Sequence, residues 1–208
     1  MTDWRIYSLF LVCSMIGCAR GTPEEQLAAV DDQYQGVVDR YQQAYDAAET
    51  EEAANQAFQD LFPNREYFTA KYQRVADNNV GHDVEARALQ WIARRATIEP
   101  HAQAIDDLFE RHASHPGMDI VARMLRFEDH DPQAEDRLKR LIASSPHRNV
   151  KAAAIYSLAE FYRRIVPRKS RLDDDGYVAN IRKYRSQKVI DYWRDVDVDD
   201  STVEALFE

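Results

Sequence analysis

The sequence predicts an all-α fold of antiparallel helical hairpins, a tetratricopeptide- or HEAT-like stack, and three observations carry that prediction. Composition is the first: 208 residues, 45% hydrophobic and 30% charged, suit a soluble core, while Gly 6 and Pro 7 are few for a β-rich chain. Spacing is the second, with apolar residues recurring every three or four positions along most of the chain. The third is a diverged internal copy. Val84, Ala86, Ala88, Leu89, Ile92 and Ala93 align without gaps, 66 residues on, with Val150, Ala152, Ala154, Ile155, Leu158 and Ala159. Upstream, Tyr72, Arg74, Val75 and Ala76 fall opposite Leu138, Arg140, Leu141 and Ile142. A unit of helix, polar turn and small-residue-rich helix therefore occurs twice, the mark of a stacked hairpin array.

At the amino terminus Arg5 precedes an apolar run from Ile6 to Ile16. The run has the length of a signal-peptide apolar region and falls short of the roughly 20 residues that span a bilayer. Met15-Ile16-Gly17-Cys18 follows, and it resembles the lipobox of bacterial lipoproteins, departing at Met15 where leucine is commonest. The resemblance implies residues 1–17 as signal peptide, lipidation of Cys18, a spacer over 18–22 and a helical-repeat domain over 23–208. The protein would then be lipid-anchored in a bacterial cell envelope, facing the periplasm or the exterior. Two or three acyl chains on Cys18 would hold the membrane stably where one would be marginal. Cys13 would leave with the peptide and Cys18 would be acylated, so no thiol would remain for disulfide, redox or metal chemistry.

Thr22, Pro23 and Glu25 form the start signal of a long first helix, with Thr22 as N-cap and Glu25 completing a capping box. Its stripe runs Leu27, Val30, Tyr34, Val37, Tyr41, Ala44 and Ala48, with Gly36 as a weak point. Three heptads with a polar flank favour packing within the chain over a coiled-coil seam. Thr50 starts a second helix ending at Phe62; Pro63-Asn64 breaks the chain and caps a third carrying Tyr67, Phe68, Tyr72 and Val75. These aromatics are expected as core filler. Asp83 is expected to cap the small-residue helix and Pro100 to open its partner, with Ile105, Leu108 and Phe109. A short helix around Met118 and one after Asp131-Pro132 follow. The second copy runs from Asn149 and is expected to stop at Pro167. The charged block Arg168 to Gly176 reads as a solvated loop, with anion binding as the alternative use. Helical pattern resumes at Tyr177, and Ser201 is expected to cap a last short helix.

Net charge is -9, which disfavours a nucleic-acid surface because a polyanion needs clustered positive charge. No Gly-rich phosphate loop, H-E-x-x-H, C-x-x-C or G-x-S-x-G occurs anywhere in the sequence, so no catalytic residue, metal ligand set or cofactor is expected. His112 and His115 are expected as surface histidines, since a zinc site needs three or four converging ligands. The candidate binding surface comprises Trp91 and Trp193 with the cations Arg163, Arg164, Arg168, Lys169 and Arg171.

The order of the Tyr67-Phe68 helix, the Asp83–Ala93 and Asn149–Ala159 small-residue helices and the terminal Leu206-Phe207-Glu208 is similar to the helical region that precedes the redoxin domain in certain bacterial thioredoxin-like lipoproteins. The chain ends where that domain would begin, so the resemblance carries over no thiol–disulfide activity. It implies a helical module that works with a separately encoded thioredoxin-fold partner. The reading from the residues themselves is a non-enzymatic interaction or scaffold module for another protein or peptide.

Overall fold

A computed structural model describes residues 21–207, and within them every regular element is a helix. The expected signal peptide, Cys18 and Glu208 lie outside the described residues. In chain order the helices are α1 (Pro23–Asp46), α2 (Glu51–Leu61), α3 (Arg65–Asn78), α4 (Asp83–Arg95), α5 (Ile98–Arg111), α6 (Met118–Leu125), α7 (Pro132–Ser144), α8 (Arg148–Lys169), α9 (Asp175–Ile181), α10 (Gln187–Asp195) and α11 (Asp200–Ala205). None of them is long and apolar enough to cross a membrane.

Local chemistry sets many of the boundaries. Thr22 accepts from the Glu25 N–H while the Glu25 carboxylate accepts from the Thr22 N–H, the full capping box of α1. Thr50, Asn64, Asp131 and Asp174 cap α2, α3, α7 and α9 by the side-chain acceptor alone, without the reciprocal bond. Elsewhere the boundaries depart from expectation. Asp83 is the first residue of α4 and not its cap, because its carboxylate is engaged by His115 at 2.7 Å. α5 begins at Ile98, so Pro100 sits in the first turn, where its missing N–H costs no helical bond. α8 runs through Pro167 to Lys169; the carbonyl deprived of its donor is that of exposed Arg163, near the helix end. The pattern after Tyr177 is two helices split by a turn at 182–186, and Asp199, not Ser201, caps α11.

The helices pack in succession: α1 on α2, α3 and α4; α4 on α3, α5 and α6; α6 on α7 and α8; α8 on α7, α10 and α11. Fully buried alanines at 86, 88, 122, 154 and 159 let the backbones approach closely. Met118, Val121, Ala122 and Leu125 are completely buried and seat the short α6 between α4 and α8, with Arg123 on its open side. The two aligned segments differ in setting. Ala86 and Leu89 are fully buried, whereas their counterparts Ala152 and Ile155 are exposed and half-buried. α4 packs on α1, α3, α5 and α6 and exposes only Asp83, Arg87 and Arg94, whereas α8 leaves Ala152, Tyr156, Arg163 and Arg164 among its exposed residues.

Candidate interaction surface

On α5, Glu99, Gln103, Asp106 and Glu110 recur four, three and four residues apart, so they form one polar stripe. The opposite side of the helix carries Ile105 and Leu108 into the core. Two clefts open along that stripe. The first, about 450 Å³, lies between α3 and α5 and is lined by Arg65, Glu66, Thr69 and Gln73 opposite Glu99 and Gln103. The second, about 650 Å³, lies between α5 and α7, with Asp106, Phe109 and Glu110 facing Gln133, Asp136 and Arg140. Arg137 fixes the second cleft from beneath: its guanidinium pairs with Asp106 and Asp131, donates to Gln133 at 2.7 Å and lies over the Phe109 ring. Because one helix stripe borders both clefts, α3, α5 and α7 share a continuous grooved face. Its lining residues are mostly polar and carry both signs of charge, while the surface they present is largely apolar through their aliphatic stems and Phe109, suited to an extended chain that offers both polar groups and apolar side chains.

Behind this face two buried carboxylates tie the layers together. Glu85 accepts from the Gly81 N–H at 2.6 Å, from His112 at 2.8 Å and from Arg111 at 2.9 Å, joining α4 to α5. Burial alone would raise its pKa, but these donors together hold it below the ordinary carboxylate value. Glu135 accepts from Tyr162 and Tyr192 at 2.6 Å each and from Lys139 at 2.5 Å, joining α7, α8 and α10. Here too burial works against the charged form and the three donors outweigh it. Burial first, then Glu135, pushes the Tyr162 hydroxyl up to about 12, so it stays protonated and donating. His112 is therefore a buried structural residue and not a surface histidine. Its ring lies 6.4 Å from that of His115, and among the described residues no group of three or more ligand-type side chains is arranged to hold a metal.

The residues expected as a binding surface lie elsewhere, and most have internal partners. Trp91, 8% exposed, stacks on Tyr72 with ring centroids 4.0 Å apart. Trp193, 2% exposed, donates its indole N–H to the Asp129 carbonyl at 2.6 Å. Arg164 and Arg168 both pair with the buried Asp129 carboxylate, Arg164 at 3.0 Å. Lys169 donates to the Val196 carbonyl at 2.5 Å, Arg163 pairs with Glu160, and the Arg171 guanidinium lies 4.0 Å from the Tyr177 ring centre. Arg164 and Arg168 staple α8 to the α6–α7 connection, and Lys169 staples it to the segment after α10. The cleft residues on α3, α5 and α7 were not singled out by sequence. Their signal, a polar stripe opposite an apolar one, is present in α5 but is shared by every amphipathic helix.

No family model, curated protein or solved structure was found to match the chain.

Proposed function

We propose that this is an exported, lipid-anchored helical-repeat protein of the bacterial cell envelope, whose α3–α5–α7 face binds another protein or peptide. The observation that carries the reading is the placement of helix starts. α3, α5 and α7 begin at Arg65, Ile98 and Pro132, 33 and 34 residues apart, close to the repeat length of roughly 34 in tetratricopeptide arrays. Each is followed by a second helix, α4, α6 or α8, that packs inward. The 66-residue offset between the aligned segments is then two repeats, with α5 and α6, each of which packs on α4 rather than chiefly on the other, as the diverged unit between them. Such arrays gain function from extended surfaces more than from single pockets. The lipobox-like Met15-Ile16-Gly17-Cys18 supports the anchor. A thioredoxin-fold protein is one candidate partner, supplied by the resemblance of the helix order, and a redoxin gene immediately downstream would favour it.

A photo-crosslinking amino acid placed at Gln73 or Gln103, in the first cleft, should give a discrete adduct in cells. The same group at Arg123, on α6, should give none. Equal patterns at all three positions would remove the proposed face. Labelling with a fatty acid should mark the wild type and spare Cys18→Ala; equal labelling would remove the anchor.

A further inference from the structure

The α1/α2 hairpin leaves an aromatic face uncovered. Tyr41 of α1 meets Phe58 of α2 and its C-cap Phe62, and Tyr45 packs on Tyr41, with ring centres 5.2 Å apart for Tyr41–Phe62, 4.8 Å for Phe58–Phe62 and 5.7 Å for Tyr41–Tyr45. Phe58 is 50% exposed, and Tyr45 and Phe62 are nearly as open. α2 packs chiefly on α1 and buries only Ala57. Contiguous exposed aromatic surface of this kind marks an interaction site.

Charge says what covers it. Between Gly21 and Asn64 there are ten carboxylates and one cation, Arg40, so this segment alone carries the -9 of the whole chain. Among the described residues no Lys or Arg lies within ion-pair distance of any of the ten. Asp39, Asp46 and Asp60, near the aromatic rings in sequence, bond only to the amides of Gln35, Gln42 and Gln56. The opposite pole is on the same chain. Arg182, Lys183, Arg185 and Lys188, at the turn between α9 and α10, are all exposed, and Tyr184 among them is 75% exposed. Arg182 and Arg185 bond to Gln187 and to the Tyr184 carbonyl, and no carboxylate among the described residues pairs with any of the four.

The hairpin packs on α3 and α4, whereas the basic turn belongs to the elements beyond α8, so the two surfaces are held apart within one molecule. We propose that the acidic aromatic hairpin of one copy docks on the basic turn of the next, with Tyr184 against the Tyr45–Phe58–Phe62 face. The contact is heterologous, so it builds rings or open chains in place of a closed two-fold dimer. It uses neither cleft of the α3–α5–α7 face and stands or falls separately from the function proposed above.

Sedimentation velocity on the full chain in non-ionic detergent tests it. In about 20 mM salt the average mass should rise with protein concentration, and in about 500 mM salt it should fall to monomer as surface charge is screened. Asp39→Lys/Asp46→Lys/Asp60→Lys should weaken association about tenfold or more, and so should Arg182→Glu/Lys183→Glu/Arg185→Glu, because like charges then face each other. Mixing the two variants should restore association, since the lysine hairpin then meets the glutamate turn. Circular dichroism should show equal helix content in all three proteins. A wild type that stays monomeric at every concentration and salt overturns the proposal and leaves the face to a basic segment of another protein. Association that ignores both reversals, or that the mixture fails to restore, overturns it as well.

Discussion

Trp193 shows how an aromatic read as surface becomes a structural pin. Its indole fills the space between α8 and α10 and its N–H occupies the Asp129 carbonyl, while the Asp129 carboxylate holds Arg164 and Arg168. Trp193→Ala removes the ring and orphans that carbonyl, so it should cost about 3–5 kcal/mol in urea unfolding. A tryptophan serving only as a partner contact would leave the midpoint unchanged. Glu135 makes a second case at this scale. Its folded pKa lies below the ordinary carboxylate value, so its stabilisation is complete above the unfolded pKa near 4.5 and is lost as pH falls through the lower folded value. Unfolding midpoints should therefore drop between about pH 5 and pH 3, and Glu135→Gln should flatten that slope while costing about 1–3 kcal/mol at pH 7. Neither role is visible in sequence. Trp193 and Asp129 are 64 residues apart, Glu135 and Tyr192 are 57 apart, and no local pattern pairs them.

Four helix starts were legible in the sequence. Thr22, Thr50, Asn64 and Asp131 act within a few residues of themselves, so their identity suffices to locate the caps. Pro167 was misleading because one lost hydrogen bond near an exposed helix end is a small penalty beside the burial of Phe161, Tyr162 and Ile165 on the same helix. Two glycines separate local from imposed conformation. Gly36 lies inside an unbroken α1, and a methyl group there would meet nothing within 4 Å. Gly36→Ala should thus stabilise the protein by about 0.5–1 kcal/mol. Gly81 has φ 82° in the turn between α3 and α4 and presents its N–H to Glu85. Gly81→Ala should destabilise by about 1 kcal/mol or more despite equal room, because the left-handed backbone opposes a Cβ. Thermal melts of the two variants should move in opposite directions.

Across the whole molecule, burial is unevenly distributed. α4, α6 and α8 hold most of the completely buried side chains, while α1 buries Leu27 alone and α2 buries Ala57 alone. Hydrogen exchange should consequently be fastest in α2 and the carboxyl-terminal half of α1, and slowest in α4 and α6. Uniform protection along the chain would contradict that order. The self-association inferred above should slow exchange at the hairpin in low salt without altering α4.

What the sequence determined by itself was the helical class, most caps and the identity of the small-residue helices, because periodicity and capping act over one or two turns. The 66-residue offset was also legible, yet not that α5 and α6 fill the interval by packing on α4, since their small buried residues, Ala104 and Ala122, do not fall in the aligned register. Only the tertiary structure decided which polar stripes border a cleft, which cations are consumed by Asp129, and which tryptophans are hidden. Those outcomes depend on the neighbour each face meets, and a helix of given amphipathicity is equally consistent with solvent, a groove or a second chain until its packing partners are in place.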